Sequence, residues 1–358
     1  MHFDLDDEQT MLKNSIDGFF ADQLPEQRLM TLFDGDGALD AALWKGAVEI
    51  GIPGIMVPED DGGAGMDLLA LAAVAESAGY HAAPIPLANA ALAAWAVAAG
   101  GSPAQKERWL PKLLDGSCLA AFAFNERGDR WQPAQWTLAG ERLCGEKCNV
   151  ERGAEAGLLI VGLAGGVLGL VDTAAGGVTC NAIDAVDRTR PLHHVQFDGA
   201  ACEPLGADAA LADRLRDALL IVHAADAWGA GKRALDMAVA YAGTRQQFGR
   251  LIGSFQALKH QLANMAVEIE PARFLAWYAA HAWDAIPTDA ARAAALAKSH
   301  LTEVAVKTAR AAVEAHGGIG YTWQYALHAF LKRAMHDRAV LGAPSVHRER
   351  ALQFALAR

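Results

Sequence analysis

The sequence predicts an α+β fold that is mostly α. It divides into an N-terminal all-helical domain over residues 1–115, a middle antiparallel, barrel-like β domain over 116–206, and a C-terminal four-helix bundle over 207–358. Three observations carry this reading. Apolar residues recur at helical spacing at both ends of the chain. Between residues 118 and 205 the apolar runs shorten, take β character, and are cut at short intervals by Gly, Asp and Pro. After 207 the chain is Ala-rich and periodic over segments longer than the average globular helix, with short connections.

In order, the first expected helix is 6–20, with Met11, Leu12, Ile16, Phe19 and Phe20 near one face. Helices follow over 39–50, 66–78, 88–98 and 104–114, separated by Asp-Gly, Gly-Gly and Pro clusters. Strands are expected over 119–124, 136–138, 142–148, 158–163, 167–171, 178–182 and 193–197. The final helices are expected over about 207–243, 255–284, 289–316 and 322–341, with a last one near 345–357.

Composition narrows the function. With 358 residues, 53% hydrophobic and 20% charged, the chain can bury a sizeable core and is not disordered. A net charge of −11 with no basic run argues against nucleic-acid binding, which needs clustered Lys and Arg. The N-terminal MHFDLDDEQT has neither a basic start nor an apolar core, so a secretory signal is not expected, and the expected location is cytoplasmic. Residues 81–103 lack Lys, Arg, Asp and Glu, but Pro84, Pro86, Asn89 and a Gly-Gly end favour a buried helix over a membrane span. Five Cys (118, 144, 148, 180 and 202) in scattered spacing read as reduced thiols, and no metal site is expected.

The most informative stretch is Thr244-Arg245-Gln246-Gln247-Phe248-Gly249-Arg250-Leu251-Ile252-Gly253-Ser254-Phe255-Gln256. Arg245 and Phe248, at i and i+3, are expected to share the last helical face before Gly249 stops the helix. They would offer a planar cation and a flat ring to something outside it. Further along, His316-Gly317-Gly318-Ile319-Gly320-Tyr321 lies between two helices, where glycines let backbone amides approach a ligand closely. No strand precedes it, so it is not a dinucleotide fingerprint.

These two motifs, in this order, resemble the flavin-binding elements of the acyl-CoA dehydrogenase family, and the helix, strand, helix order resembles that family's architecture over nearly the whole chain. The resemblance implies FAD as cofactor. Arg245, Phe248 and Gln256 would reach a dinucleotide held mainly by a neighbouring subunit, the guanidinium matching paired phosphate oxygens. Glu314, Gly317 and Gly318 would form the second element. The family usually carries Gln where Glu314 stands, so Glu314 should either point away from the phosphates or meet Arg245. The segment Tyr321-Thr322-Trp323-Gln324-Tyr325 through Arg333 is similar to a bacterial branch with shorter chains, many acting as one half of a heteromer.

The resemblance also implies α,β-dehydrogenation of an acyl-CoA thioester, electron-transfer flavoprotein as electron acceptor, and a homo-oligomer or a heteromer with a homologous subunit. No membrane partner is expected. The family's usual base, a Glu preceding a Gly-Thr pair, is missing: Leu341-Gly342-Ala343 stands there. The alternative position on the first bundle helix is near Leu219. Asp226, seven residues on and on nearly the same face, is the candidate catalytic carboxylate. The competing reading of Asp226 is a helix carboxylate bonded within the bundle. In the middle domain Asn125-Glu126-Arg127 and Asn149-Val150-Glu151-Arg152-Gly153 replace the family's Thr-Glu-Pro and Trp-Ile-Thr-Asn-Gly runs. Glu151 thereby stands where a hydroxyl is expected beside the reactive flavin nitrogen, and an anion there would disfavour reduced flavin. The alternative function is a non-catalytic structural or binding subunit with this fold.

Overall fold

A computed structural model of the protein describes residues 4–206 and 208–356. The expected helix start at 207 and the last residue of the terminal helix, 357, lie outside the described residues. The chain opens with helices α1 (Asp7–Gln23), α2 (Glu26–Asp34), α3 (Ala41–Glu49), α4 (Leu68–Tyr80), α5 (Leu87–Gly100) and α6 (Pro103–Leu114). Strands follow: β1 (Ala120–Ala123), β2 (Arg142–Glu151), β3 (Leu158–Leu163), β4 (Val167–Asp172), β5 (Val178–Ile183), β6 (Leu192–Ala201) and β7 (Glu203–Leu205). The last part comprises α7 (Ala210–Thr244), the short strands β8 (Gln246–Gln247) and β9 (Arg250–Leu251), α8 (Gln256–Ala285), α9 (Pro287–His316), α10 (Leu327–Ala339) and α11 (Pro344–Leu356).

Local chemistry sets several boundaries. Asp6 and Ser102 each accept from a backbone amide three residues on, and the Gln at that position answers back, so α1 and α6 begin with capping boxes. Every residue of α5 from Leu87 to Ala98 is buried, which is why no charge is found there. No helix among the described residues is long and apolar enough to cross a membrane.

The chain forms two compact units. One comprises Met1–Asp36, Ala72–Ala83 and Leu220–Arg358; the other comprises Gly37–Leu71 and Pro84–Leu219. The second unit holds both larger sheets, in strand orders β1-β3-β4-β7 and β2-β6-β5. Pairing is antiparallel except for β1 with β3, which run parallel because the chain leaves the first sheet to build β2 before returning. Residues from both sheets, among them Leu143, Val150, Leu159, Val161, Val195 and Phe197, share one core. The segment Trp136–Leu138 is not a strand. It follows a 3-10 turn (Pro133–Gln135), and Glu126 accepts from the amides of Thr137 and Leu138, replacing a sheet partner. Helix α2 is an addition to the sequence reading, which had no element between residues 20 and 39. Met11 is exposed, so the buried face of α1 is narrower than its apolar residues suggest.

In the first unit α7, α8 and α9 are rods of 35, 30 and 30 residues. Two glycines let α7 approach α4. A Cβ at Gly79 would meet the Asp226 carbonyl oxygen at 1.9 Å, and one at Gly229 would meet the Glu76 carbonyl oxygen at 2.0 Å. Both contacts are to backbone, which cannot rotate aside. Gly79→Ala and Gly229→Ala are therefore expected to lower unfolding free energy by at least about 1–3 kcal/mol. Gly243→Ala, with nothing within 4 Å near the exposed end of α7, should be neutral or stabilising by up to about 1 kcal/mol. Urea denaturation of the three variants checks the contrast.

Candidate functional site

Helix α7 ends at Thr244, so Arg245 and Phe248 do not share a helix face as the i, i+3 spacing suggested. The motif instead turns back on itself. Gln246 pairs with Leu251 and Gln247 with Arg250, and the Arg245 carbonyl accepts from the Ile252 amide at 2.8 Å. The two turn residues are Phe248 (φ 51°) and Gly249 (φ 76°), both left-handed as a tight I′-type hairpin requires. Helical periodicity could not reveal this, because Phe is a rare occupant of a left-handed position.

The hairpin faces solvent. Phe248 is 92% exposed, and its ring meets that of Phe255 edge-on at 6.1 Å. The Arg250 guanidinium lies 4.0 Å from the Phe255 ring centroid and is thus engaged. Arg245 is exposed, and among the described residues no side chain pairs with it. Gln256, the first residue of α8, is also exposed. Beside it Ala257 begins a groove of about 500 Å³ between α8 and α9, lined also by His260, Met265, Lys307 and Ala311.

The second motif ends α9. Gly317 has φ 64° and ψ −141°, a conformation essentially reserved for glycine, and a 3-10 turn covers Gly317–Tyr321. A Cβ at Gly317 or Gly318 would meet nothing within 4 Å, so their backbone lies open to an approaching group. Glu314 is exposed and makes no ion pair with Arg245. An uncommitted guanidinium, an exposed ring and an open Gly-Gly turn suit a pyrophosphate-bearing dinucleotide, so the residues of this edge fit FAD.

Asp226 is placed quite differently. It is 2% exposed, and Arg333, fully buried on α10, donates to both its oxygens: Nε to Oδ1 at 2.6 Å and Nη2 to Oδ2 at 2.9 Å. Nη2 also lies 3.3 Å from the Ala83 carbonyl oxygen. A carboxylate held in this way is a structural anchor and a poor base. Three residues earlier His223 Nδ1 lies 3.0 Å from Asp337 Oδ1, and Lys298 donates to the Asp337 carbonyl. Trp228 donates to the Ile269 carbonyl at 2.8 Å and belongs to the bundle packing. Leu341 and Gly342 form a left-handed turn between α10 and α11, with no carboxylate at either position.

In the second unit Glu151 is buried and accepts from Arg190 at 2.8 Å. A buried guanidinium thus balances the charge that the sequence reading placed at Glu151. Glu126 accepts from Lys147 at 2.7 Å and from Thr137. Burial alone would raise its pKa, but these donors outweigh burial and lower it.

Family models named Acyl-CoA dehydrogenase, N-terminal domain, and Acyl-CoA dehydrogenase, C-terminal domain, match residues 6–117 and 220–356. Acyl-CoA dehydrogenase IpdE2 of Mycobacterium tuberculosis is 30% identical over 94% of this chain and 94% of that protein. The chain belongs to the acyl-CoA dehydrogenase family. Among solved structures it is similar to the Tcur3481-Tcur3483 steroid ACAD G363A variant, with TM-score 0.90 and 31% identity over 98% of each chain. It is also similar to the ChsE4-ChsE5 complex from Mycobacterium tuberculosis, with TM-score 0.91 and 26% identity, covering 100% of this chain and 99% of that one. The family fold is therefore present, and Asp226 is bonded within the bundle, as the competing reading of it had it. Arg333 and Arg190, the partners of Asp226 and Glu151, had no role in the sequence reading.

Asp226→Asn would leave the Arg333 guanidinium buried with its pairing weakened. Loss of a buried partner costs about 3–5 kcal/mol, so this variant is expected to melt well below the wild type, as calorimetry can show. Lys298 provides a pH test. Burial holds its pKa down to about 7, against Asp337, which raises it, and with Arg338, which lowers it further. Between pH 7 and the ordinary lysine value the unfolded chain binds a proton that the folded chain has released, so stability should rise with pH over that window. Lys298→Met should abolish that rise, measured as the difference between wild-type and variant urea midpoints from pH 7 to 9.5.

Proposed function

We propose that this chain is a subunit of a flavin-dependent acyl-CoA dehydrogenase that works with a homologous subunit. It presents Arg245, Phe248 and Gln256 to FAD bound mainly by its neighbour. The observation that supports this reading is the uncommitted state of that edge: an exposed guanidinium with no counter-ion beside a ring that is 92% exposed. Bound at this edge, FAD would supply the hydride-accepting chemistry of the thioester dehydrogenation, with electron-transfer flavoprotein as the expected onward acceptor. This chain's own part is positional. Arg245 holds phosphate oxygens, the open backbone at Gly317 and Gly318 admits a close approach, and Phe248 covers an apolar face.

The α-proton needs a carboxylate, and the places where this family keeps one are occupied here by Leu219 and Leu341. Asp226 is bound to Arg333 at both oxygens. The base is therefore assigned to the partner subunit. Of the similar structures, ChsE4-ChsE5 is a complex and Tcur3481-Tcur3483 is a steroid ACAD. A substrate panel should accordingly span straight-chain, branched and steroid-derived thioesters.

Arg245→Ala is expected to lower flavin occupancy about tenfold or more, since a charge-assisted hydrogen bond contributes about 1.5–3 kcal/mol. Arg250→Ala, already stacked on Phe255, should change it little. Flavin absorbance of the purified assembly, with sedimentation to confirm a dimer or larger, is the measurement. Equal occupancy in both variants would reject the assignment. A colourless assembly with every homologous partner supplied would favour the non-catalytic subunit.

A further inference from the structure

Behind this edge, in the same unit, His316 is buried and both its ring nitrogens are engaged. Nδ1 lies 2.7 Å from the carbonyl oxygen of Ala312, one turn earlier in α9. A carbonyl only accepts, so Nδ1 carries the proton and Nε2 the lone pair. Nε2 lies 3.1 Å from the Tyr325 hydroxyl, which therefore donates. The neutral ring is favoured because burial lowers its pKa, although the Ala312 bond opposes this. Burial raises the pKa of Tyr325, Glu26 and Tyr241 raise it further, and Arg233 opposes them.

The contacts of His316 lead to both motifs. Its ring stacks on Tyr241 of α7 at 4.5 Å and 23°. The Tyr241 carbonyl accepts from the Arg245 amide at 2.9 Å, so the stacked residue also ends the helix that carries the hairpin. On the other side His316 directly precedes Gly317. A Cβ at Gly320 would meet the Val313 carbonyl oxygen at 2.6 Å and the His316 Cβ at 3.0 Å, so the turn is folded tightly onto this histidine. Tyr325 closes the loop two residues before α10 begins.

We propose that His316 is a positioning residue that holds the Gly317–Gly318 turn and the Arg245 hairpin in one register, through Tyr241 on one side and Tyr325 on the other. The inference deepens the flavin reading and rests on it for the identity of the ligand. A histidine that merely fills the end of α9 would need neither a donor at Nε2 nor a stacked ring from another helix. The specific content is coupling: disturbing the Tyr325 side should be felt at the hairpin, through the Tyr325–His316 hydrogen bond, the His316–Tyr241 stack and the Tyr241–Arg245 backbone hydrogen bond.

The test is Tyr325→Phe, which removes one hydroxyl and keeps the ring. Hydrogen exchange is measured first on the flavin-free chain. Faster exchange in both 316–322 and 244–253 is expected. FAD affinity of the assembled protein, read by quenching of flavin fluorescence, should fall about fivefold, the equivalent of one ordinary hydrogen bond of about 1 kcal/mol. His316→Gln, which can reach Tyr325 with an amide, should retain more affinity than His316→Leu. Unchanged exchange in 244–253, or His316→Gln and His316→Leu losing affinity equally, overturns the proposal and leaves His316 a packing residue. If the wild type binds no FAD, the flavin reading falls by itself, and the two exchange segments still decide whether His316 couples the hairpin to the turn.

Discussion

The helical unit depends on one buried charge. Arg333 is fully buried, and a guanidinium does not shed its proton to escape burial. It must be met by a carboxylate in good geometry, and Asp226 meets it with two hydrogen bonds while the Ala83 carbonyl takes a third. That contact fixes α7 to α10 and to the chain just beyond α4. At the same level the backbones of α4 and α7 touch through Gly79 and Gly229. The pair at His223 and Asp337 adds a second polar tie between α7 and α10, and Lys298 brings in α9. Buried ionic groups of this kind add little net stability over apolar packing, but they penalise every arrangement in which they are not paired. Here they fix the rods in one register.

The same anchoring limits chemistry. A general base needs a lone pair facing its substrate, with a pKa poised for transfer. Asp226 has both oxygens on Arg333, Glu151 is balanced by Arg190, and Glu126 serves Lys147 and Thr137. The buried carboxylates that a sequence comparison would nominate are each committed to holding the fold. What the chain offers outward is binding capacity: a free guanidinium, an exposed ring and an open turn. This division fits a subunit that completes a site better than one that performs the proton transfer.

Much of this was legible in the sequence, and the rest was hidden for identifiable reasons. The long rods were legible because apolar period and Ala content persist over many turns, and the β segments because short runs between turn residues leave few alternatives. Helix α2 was missed between Gln23 and Asp34, although Leu29 and Phe33, four residues apart, form its buried face. Trp136–Leu138 looked like a strand, yet its amides bond to the Glu126 side chain, a tertiary partner that no local pattern announces. Arg245, Phe248, Gln256, Gly317 and Gly318 were nominated through a motif. Their hairpin geometry was not, because helical spacing continues up to Thr244. The pairing of Asp226 with Arg333 is a long-range contact and could be posed in sequence only as an alternative.

The hairpin raises a point of energetics. A non-glycine residue in the left-handed region costs about 1–2 kcal/mol, and Phe248 occupies that region with its ring in water. Asn-Gly would make the same turn without the strain and without the exposed ring. In the isolated chain Phe248 is therefore unfavourable twice over. Burying a Phe side chain returns about 1.5–3 kcal/mol, enough to offset the strain, but the described residues leave the ring 92% exposed. Ile319 and Tyr321, on the second motif, are exposed as well. The three residues belong to the two segments that the Tyr241 and His316 stack connects, so one apposed surface could cover them together. Under the proposed function, the neighbouring subunit and its flavin supply that surface, and Arg245 meets the dinucleotide's phosphates.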